Sequence, residues 1–330
     1  MANDLNLPAG TETFLAAHGW GGATVVPLAG DASFRRYFRV AAGDRRAILM
    51  DAPPPHEDPR PFVAVARWLT AKGFAAPAIH AADEAAGLVL LEDFGDDRMR
   101  ETVDAAPERE AELYASAVET LIALGSHDAG DVPPYDRAVY QREAALFVEY
   151  YCPAIGLDVD VAGYRAAWDE VLAGVLAEPR KVTVLRDYHA ENLMLVAGRG
   201  ELGLLDFQDA LAGHPAYDLV SLLQDARRDV PQATERAMLA RYKVATGAGE
   251  EFDAAYWVLG AQRNAKIVGI FTRLWWRDGK PRYPALCPRV WRYLERDLMQ
   301  PALAPVRSWF DANVPPDKRG DPMVIAGAAA

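Results

Sequence analysis

The 330-residue sequence contains only two cysteines, and Cys152 and Cys287 lie far apart without a CxxC or any other ligand spacing. A disulfide framework and a cysteine-based metal site are therefore not expected, and a reducing, cytoplasmic setting is favoured. The N-terminal stretch lacks a basic start followed by a long apolar run, so a signal peptide is not predicted either. Apolar runs elsewhere fall short of the roughly 20 residues that a membrane span needs, and no membrane association is expected.

Positive charge is also scarce. The chain has 35 lysines and arginines against 47 aspartates and glutamates, which gives a formal net charge of −12. This balance argues against a broad basic face that binds nucleic acid, so an anionic ligand would need a local cluster of cations. With 51% hydrophobic residues, the chain can bury a large core and is long enough for two domains or lobes.

The N-terminal hundred residues predict a small antiparallel sheet with one helix. Residues 23–29 and 34–40 alternate apolar and polar side chains, and a turn at Gly43 leads into a third strand, "RRAILMDA". The apolar spacing and glycine stop of residues 62–72 predict the helix. Residues 87–96 are interpreted as a buried strand that leaves through an acidic turn.

From about residue 105 the sequence predicts a mainly helical region, with helices that include 217–228, 232–246 and 254–276. Two short apolar strands, "KVTVLRD" and "GLLDF", interrupt it, and Gly198 between them suits a hairpin turn. The chain as a whole is therefore predicted to be an α+β protein without internal repeats.

A cluster of oxygen-bearing side chains follows these two strands. Asp187 and Asn192 are separated by five residues, and Asp206 in "LLDFQDA" follows fourteen residues later. A polar loop between apolar strands can present such groups rigidly. In phosphoryl transfer one aspartate orients the attacking hydroxyl and accepts its proton, while an asparagine and a second aspartate bind Mg²⁺. The pattern therefore predicts a phosphoryl-transfer site.

The segments "LRDYHAENLMLV" and "GLLDFQDALAGHPAYDLVSLL" resemble the aminoglycoside phosphotransferase and choline kinase-like family. The resemblance implies a bilobal protein-kinase-like fold. Its small antiparallel-sheet lobe, residues 1–96, would bind the nucleotide and end in a hinge near 91–96. Its larger helical lobe, residues 97–330, would carry the catalytic loop and the substrate site. The implied cofactors are ATP and Mg²⁺.

The same resemblance implies roles for the motif residues. Asp187 would be the catalytic base, Asn192 and Asp206 would bind Mg²⁺, and Asp218 would be a buried structural acid. Arg186 takes the place of a histidine that normally braces the loop in this family, which puts little doubt on catalysis.

The N-terminal lobe departs from the protein-kinase pattern. The lysine that contacts the phosphates in such folds is replaced by Met50, and the helix predicted at 62–72 lacks the glutamate that would hold it. The substitute is expected in the hairpin "DASFRRYFRV", because the arginine fork binds phosphate bidentately. The candidate nucleotide-binding residues of this hairpin are Ser33, Arg35, Arg36 and Arg39.

Two further assignments rest on position in the family pattern. The hinge residues Glu92, Asp93 and Phe94 are assigned to nucleotide binding, since adenine is held in this fold mainly by backbone groups. His189, inside the catalytic loop, is a candidate substrate contact, although the neighbouring position in kinase-like folds is usually a loop-ordering group.

A basic stripe stands out in the C-terminal region of this acidic chain. Its cations are spaced three, seven and four residues apart and are predicted to share one side of a helix. One interpretation is a solvated or salt-bridged helix face. The other is a substrate site in which the cations bind an anion and an aromatic ring stacks on a sugar. The candidate substrate-binding residues are Arg263, Lys266, Arg273, Arg277 and Trp276.

This stripe and "GDASFRRYFRV" also resemble the bacterial cell-wall-recycling kinases that phosphorylate the anomeric hydroxyl of N-acetylmuramate and N-acetylglucosamine. The resemblance implies an amino-sugar substrate and a sugar 1-phosphate product. N-acetylmuramate carries a lactyl carboxylate that a basic stripe can bind, whereas a polycationic aminoglycoside needs an acidic site. The oligomeric state is left open, and a monomer is compatible with the sequence.

Two other functions stay open at this point. Another small-molecule kinase, acting on an aminoglycoside or an amino alcohol, would use the same catalytic residues. A non-catalytic nucleotide-binding pseudokinase module is favoured by the missing lysine. The complete set of Asp187, Asn192 and Asp206 argues against it, because a module that only binds needs no base.

Overall fold

The computed structural model describes residues 7–28 and 34–328, and the chain divides into two compact units. The first unit comprises Met1–Pro107 and Glu191–Ala210, and the second comprises Glu108–Ala190 and Leu211–Ala330. The chain therefore passes three times from one unit to the other.

The first unit contains most of the strands and the second contains most of the helices. In chain order the strands are β1 (Thr24–Pro27), β2 (Arg36–Ala42), β3 (Arg45–Asp51), β4 (Ile79–Asp83), β5 (Leu88–Leu91), β6 (Val182–Val184), β7 (Leu193–Leu195), β8 (Leu202–Leu204) and β9 (Leu211–Gly213). The helices are α1 (Thr11–Ala17), α2 (Arg60–Ala71), α3 (Met99–Ala105), α4 (Glu110–Gly125), α5 (Arg137–Leu146), α6 (Cys152–Ala154), α7 (Val161–Ala177), α8 (Ala216–Leu223), α9 (Gln232–Thr246), α10 (Glu250–Trp276), α11 (Cys287–Leu298), α12 (Ala304–Asn313) and α13 (Pro322–Ala328).

The sheet of the first unit has five antiparallel strands in the order β1-β2-β3-β5-β4. The predicted N-terminal strands and the helix α2 are thus confirmed. Phe38, Val40 and Leu49 of adjacent strands are buried with Phe14 of α1 in one apolar cluster, as alternation along a half-buried strand requires. At the two-residue β2–β3 turn, Gly43 has a φ of 61°, a conformation that glycine adopts without strain.

The hairpin β7–β8 belongs to the first unit, which differs from a single division after residue 96. Its backbone is bonded to that unit: Leu195 N donates to Asp97 O at 2.7 Å, and Leu204 N donates to Ala75 O at 2.8 Å. These bonds join residues that are 98 and 129 positions apart in the chain, which no local sequence pattern can show. Unit one therefore includes part of the predicted catalytic segment.

The second unit is organised around α10, the 27-residue helix Glu250–Trp276. This helix packs against α5, α8 and α11 and is buried on several sides along its middle. Gly269 has no room for a side chain, because an added Cβ would collide with the backbone of Leu146 and Phe147. The antiparallel pair β6–β9 has Val182 opposite Gly213, and β6 packs against α4.

Within the described residues, we find no helix with the length and apolar character needed to cross a membrane.

Candidate active site

The catalytic loop leaves β6 through a strained residue that a buried acid holds in place. Arg186 has a φ of 72°, which is uncommon for a residue other than glycine. The carboxylate of Asp218 accepts hydrogen bonds from Leu185 N at 2.6 Å and from Arg186 N at 2.8 Å. Burial raises the pKa of Asp218 to about 7 although these bonds oppose the shift. Asp218 thus fixes the backbone directly before Asp187, in keeping with its implied structural role.

Asp187 is partly exposed, with 46% of its side chain accessible, and it faces a buried cation. Arg263 Nη2 lies 3.5 Å from Asp187 Oδ1. Burial alone would raise the pKa of Asp187, but the positive charges of Arg263 and, next, Lys266 lower it to about 2. The carboxylate is therefore ionised at neutral pH and can accept a hydrogen bond from a hydroxyl.

Arg186, at the head of the loop, is bound to Glu143 of α5. Glu143 is buried and also accepts hydrogen bonds from Lys266 Nζ at 2.9 Å and from the Tyr135 hydroxyl. Burial raises the pKa of Glu143, but the charges of Lys266 and Arg186 outweigh this and lower it overall. Arg186 therefore braces the predicted catalytic loop through an ion pair with a buried acid of the second unit.

His189 is buried and neutral. Its Nε2 lies 3.1 Å from Arg227 Nη1, and burial lowers the pKa of His189 to about 4. The backbone of the loop turns here as well, since His189 N donates to Asp187 O at 3.1 Å. His189 thus lies beside the predicted base, and its predicted contact with substrate stays a prediction.

The predicted metal ligands lie together in the first unit. Asn192 ends a short 3-10 turn, and its carbonyl oxygen accepts from Leu205 N at 3.0 Å. Asp206, which follows Leu205, has a φ of 57°. Asn192 Nδ2 lies 3.4 Å from Asp206 Oδ2, and Gln208 Nε2 donates to Asp206 Oδ1 at 2.9 Å. The hairpin therefore brings the amide and the carboxylate side by side.

This donor set fits Mg²⁺ that is shared with a nucleotide. In the described part of the chain no group of three or more His, Cys, Asp and Glu side chains is placed to hold a metal ion. Mg²⁺ does not require such a group, because it is usually bound by one or two carboxylates together with substrate phosphates and water. Asp206 and Asn192 supply hard oxygen atoms of this kind.

The arginines predicted to bind phosphate are each paired with an acid of the first unit. Arg35 Nε lies 3.0 Å from Glu57 Oε2, and Arg36 Nη2 lies 2.6 Å from Asp51 Oδ2. Met50, in the position of the missing lysine, is fully buried in the sheet. Ser33 falls outside the described residues.

Arg39 is bound to two acids of the segment predicted to form the hinge. It forms ion pairs with Asp93 at 2.8 Å and with Asp96 at 2.9 Å. The side chains of Glu92 and Phe94 both contact Arg199. Glu92 forms an ion pair with it at 2.7 Å, and its guanidinium lies 5.5 Å from the centre of the buried Phe94 ring. Nucleotide binding by these hinge residues, which depends on backbone groups, stays a prediction.

The basic stripe divides into two buried and two more exposed cations. Arg263 and Lys266 are buried and each forms an ion pair with a carboxylate, so the salt-bridged form of the first interpretation applies to this pair and the solvated form does not. Arg277 forms an exposed ion pair with Asp278 at 2.6 Å, and Arg273 lies 6.0 Å from the centre of the Tyr150 ring. Trp276 is exposed, and its predicted contact with a sugar stays a prediction.

Several side chains of the site were not predicted. Gln208 lies two residues after Asp206 and could have been noticed as a polar residue beside the motif. Glu143 lies far from the motif and Asp225 follows two residues after the segment that ends at Leu223, but each looks like an ordinary acid of a helical region. Only burial reveals them, since Glu143 and Asp225 have accessible fractions of 6% and 0%.

The sheet unit, the helical unit and the loop residues together define a protein-kinase-like fold of the phosphotransferase type. The chain belongs to the phosphotransferase enzyme family, whose pattern matches residues 24–256. It is 43% identical over 300 residues to an N-acetylmuramate/N-acetylglucosamine kinase of Pseudomonas aeruginosa, with 86% of this chain and 87% of the relative covered.

A second relative extends over nearly the whole chain. The N-acetylmuramate/N-acetylglucosamine kinase of Caulobacter vibrioides is 38% identical over 356 residues, which cover 94% of this chain and 98% of that protein. Among solved structures, a choline/ethanolamine kinase family protein from Mesorhizobium loti matches with a TM-score of 0.65 at 15% identity, covering 91% of this chain and 98% of that chain. The predicted family and fold class are thus confirmed.

Proposed function

We propose that the protein is an ATP-dependent sugar kinase that phosphorylates the anomeric hydroxyl of N-acetylmuramate and N-acetylglucosamine in cell-wall recycling. The observation that carries the proposal is the 43% identity with a kinase named for these two sugars, over 86% of this chain. The ionised Asp187 beside a buried cation supports it, because a kinase needs an acceptor for the proton of the attacking hydroxyl.

In the proposed reaction Asp187 orients the anomeric hydroxyl and takes its proton. The anomeric oxygen forms a bond to the γ-phosphorus, the bond from that phosphorus to the bridging oxygen breaks, and ADP leaves. A carboxylate with a pKa of about 2 is a weak base. A weak base is sufficient here because the transition state is loose, so the proton leaves late, as the new bond forms.

Asp206 and Asn192 would hold Mg²⁺ on the phosphates of ATP, where the ion neutralises the charge that develops on the transferred group. Gln208 fixes one oxygen of Asp206 at 2.9 Å and so limits its rotation. Asn192 now directs its amide nitrogen toward Asp206, and it must turn its amide to offer the oxygen instead. These three residues support a metal site that depends on the nucleotide for its remaining ligands.

Among the hairpin arginines, Arg35 is the best candidate for the cation that replaces the missing lysine. Arg35 directly precedes β2, and its partner Glu57 lies three residues before α2. An ion pair between a cation at this strand and an acid near this helix therefore exists, at positions other than those of the missing lysine and glutamate. Arg35 also interacts with the partly buried Tyr37, whose pKa is raised to about 12 by burial and, next, by the charge of Asp206. Arg35 therefore lies in the neighbourhood of the proposed metal ligand, held by Glu57.

The cytoplasm is the compartment that the proposal requires, because ATP is the donor. Cys152 and Cys287 are both free thiols and both buried, which is compatible with a reducing compartment. Burial raises the pKa of the Cys152 thiol to about 12, so it stays protonated and unreactive.

A direct test is to mix the protein with ATP, Mg²⁺ and a panel of amino sugars, aminoglycosides and amino alcohols, and to follow the products by phosphorus NMR. The proposal predicts an anomeric sugar phosphate from N-acetylglucosamine and N-acetylmuramate. Transfer to an aminoglycoside or an amino alcohol alone would support another small-molecule kinase. Absence of transfer to any member would contradict the proposal and favour a nucleotide-binding module.

A further inference from the structure

Three buried polar atoms on and around His189 have no hydrogen-bond partner among residues 7–28 and 34–328: His189 Nδ1, Arg263 Nη1 and Asp225 Oδ2. All three side chains belong to the second unit and are at least 97% buried. Buried polar groups in native proteins are almost always paired, with protein atoms, water or a ligand. Two of these side chains, Arg263 and His189, also act electrostatically on the predicted base Asp187, so the group calls for a specific explanation.

The hydrogen-bonding role of each atom follows from its partners. Arg227 is always protonated and can only donate, so His189 Nε2 must accept its hydrogen bond at 3.1 Å. The neutral ring then carries its proton on Nδ1, which makes that atom a buried donor. Arg263 directs Nη2 toward Asp187 and keeps Nη1 as a second buried donor.

Asp225 supplies the acceptor. It lies two residues beyond the end of α8, and its Oδ1 accepts from the backbone N of Arg227 at 2.8 Å. Its Oδ2 has no donor in the described part of the chain. The carboxylate and Arg263 both lie near enough to His189 to influence its pKa electrostatically, so the three groups occupy one neighbourhood.

A sugar fits this set of groups. Its ring hydroxyls both donate and accept hydrogen bonds, so one sugar can satisfy a carboxylate oxygen and two N–H donors together. An anion does not fit beside Asp225, because two buried negative charges repel each other. The lactyl carboxylate of N-acetylmuramate, carried on the 3-oxygen, must therefore lie away from this acid.

We propose that Asp225, His189 and Arg263 form the subsite that binds a ring hydroxyl common to both acceptor sugars, with Asp225 as the residue that accepts its proton in a hydrogen bond. The identity of the sugar rests on the proposed function. Since the 3-oxygen of N-acetylmuramate is substituted, the shared hydroxyl is the one on carbon 4 or on carbon 6. Asp225 thus selects for the hydroxyl pattern of the ring and does not distinguish the two sugars from each other.

The test measures sugar binding without turnover. Saturation-transfer NMR titrations, in the presence of a non-hydrolysable ATP analogue and Mg²⁺, give the Kd of N-acetylglucosamine and of its 3-, 4- and 6-deoxy analogues. The wild-type protein should bind either the 4-deoxy or the 6-deoxy analogue at least about 10-fold more weakly than the parent sugar. The Kd of the 3-deoxy analogue should differ much less from that of the parent sugar.

The same titrations are repeated with the variants Asp225→Asn and Asp225→Ala. Asn keeps an oxygen for the backbone bond from Arg227, and a urea titration checks that each variant is folded. Each folded variant should bind the parent sugar more weakly than the wild type does. Removal of the hydroxyl on carbon 4 or 6 that matters for the wild type should then weaken its binding little further. Asp229→Asn is the matched control, since Asp229 is an exposed partner of Arg289 and Arg292 and should leave all Kd values unchanged.

The outcomes separate this proposal from the proposed function. Wild-type protein that binds all deoxy analogues as tightly as the parent, or binds no sugar, overturns the subsite without any variant. An equal loss for every analogue in the Asp225 variants means a structural role and also overturns it. The expected pattern without phosphate transfer would sustain the subsite while the proposed kinase function fails.

Discussion

The cations of β2 and those of α10 look alike in the sequence and differ in the structure. On β2, the side chains of Arg36 and Arg39 stay 44% and 21% accessible, although those of their partners Asp51 and Asp93 are only 3% and 6% accessible. On α10, Arg263 and Lys266 are 4% and 10% accessible and face Asp187 and Glu143. Exposed ion pairs contribute little to stability, whereas a buried charge without its partner is strongly destabilising. Two cation clusters that look alike in the sequence are therefore expected to differ in how much stability depends on their acid partners.

The largest expected effect tests the buried half of this contrast. Glu143→Gln removes the charge that compensates Arg186 and Lys266, and the two buried cations are left to repel each other. We expect the free energy of unfolding, measured by urea titration, to fall by roughly 3–5 kcal/mol.

The matched control is the exposed pair at the end of the same stripe. Asp278→Asn breaks the ion pair with Arg277, where both groups are in contact with water, and should cost less than about 1 kcal/mol. Similar losses for the two variants would mean that depth does not separate these cations.

The second prediction concerns Arg35, which directly precedes β2, and Arg39 within β2. Arg35→Met should raise the KM for ATP by roughly 10- to 100-fold, the effect of losing a charge-assisted hydrogen bond to phosphate. Arg39→Met removes a cation four residues away that is already bound to Asp93 and Asp96, so its KM for ATP should change far less. Steady-state kinetics at saturating sugar measure both, and a larger effect at Arg39 would reverse the assignment.

The third prediction uses the pH dependence of stability. The pKa of His189 is about 4 in the folded protein, against about 6.5 for an unfolded histidine. Between these values the unfolded state takes up a proton that the folded state does not, so the stability contributed by neutral His189 falls as the pH is lowered. Asp218, whose folded pKa is raised to about 7, acts in the opposite direction.

Because these effects oppose each other, the informative quantity is a difference between variants. On lowering the pH from 7 to 5, His189→Gln should lose roughly 2 kcal/mol less stability than the wild type in urea titrations. His56→Gln, at an exposed position, controls for the loss of a histidine. Parallel pH profiles for His189→Gln and the wild type would refute a buried neutral His189.

Much of the fold was accessible from local patterns. The β2–β3 hairpin and the helices α2 and α10 follow from alternation, helical spacing and glycine positions. The helix α1 was missed because it starts after Gly10 without a side-chain cap. The strand β4 was missed because "IHAAD" has little apolar alternation and is defined by its pairing with β5.

The limits of the predicted elements matter for the site. The helix predicted at 217–228 ends at Leu223, and this early end leaves Asp225 outside the helix. The strand and acidic turn predicted at 87–96 divide at Leu91, and Asp93 and Asp96 of the turn bind Arg39. The partners of both segments are distant in sequence, so propensity alone does not reveal them.

The motif residues were predictable and their partners were not. Asp187, Asn192 and Asp206 lie within twenty residues of each other in a recognisable order. In the sequence, Arg263 looked like one member of a basic helix stripe. In the structure it is buried and lies 3.5 Å from Asp187, which distinguishes it from the exposed Arg277 of the same stripe. A one-dimensional pattern gives the direction of a side chain around a helix but not the neighbour it meets.

The central proposal is that Asp187 is the base of a phosphoryl transfer to the anomeric hydroxyl. The decisive measurement is the rate of sugar phosphate formation by Asp187→Asn at saturating ATP and N-acetylglucosamine, with the Kd for ATP measured on the same preparation. We predict a kcat at least about 100-fold below that of the wild type, with ATP binding nearly unchanged. Turnover by the variant at a rate comparable to the wild type would contradict the account.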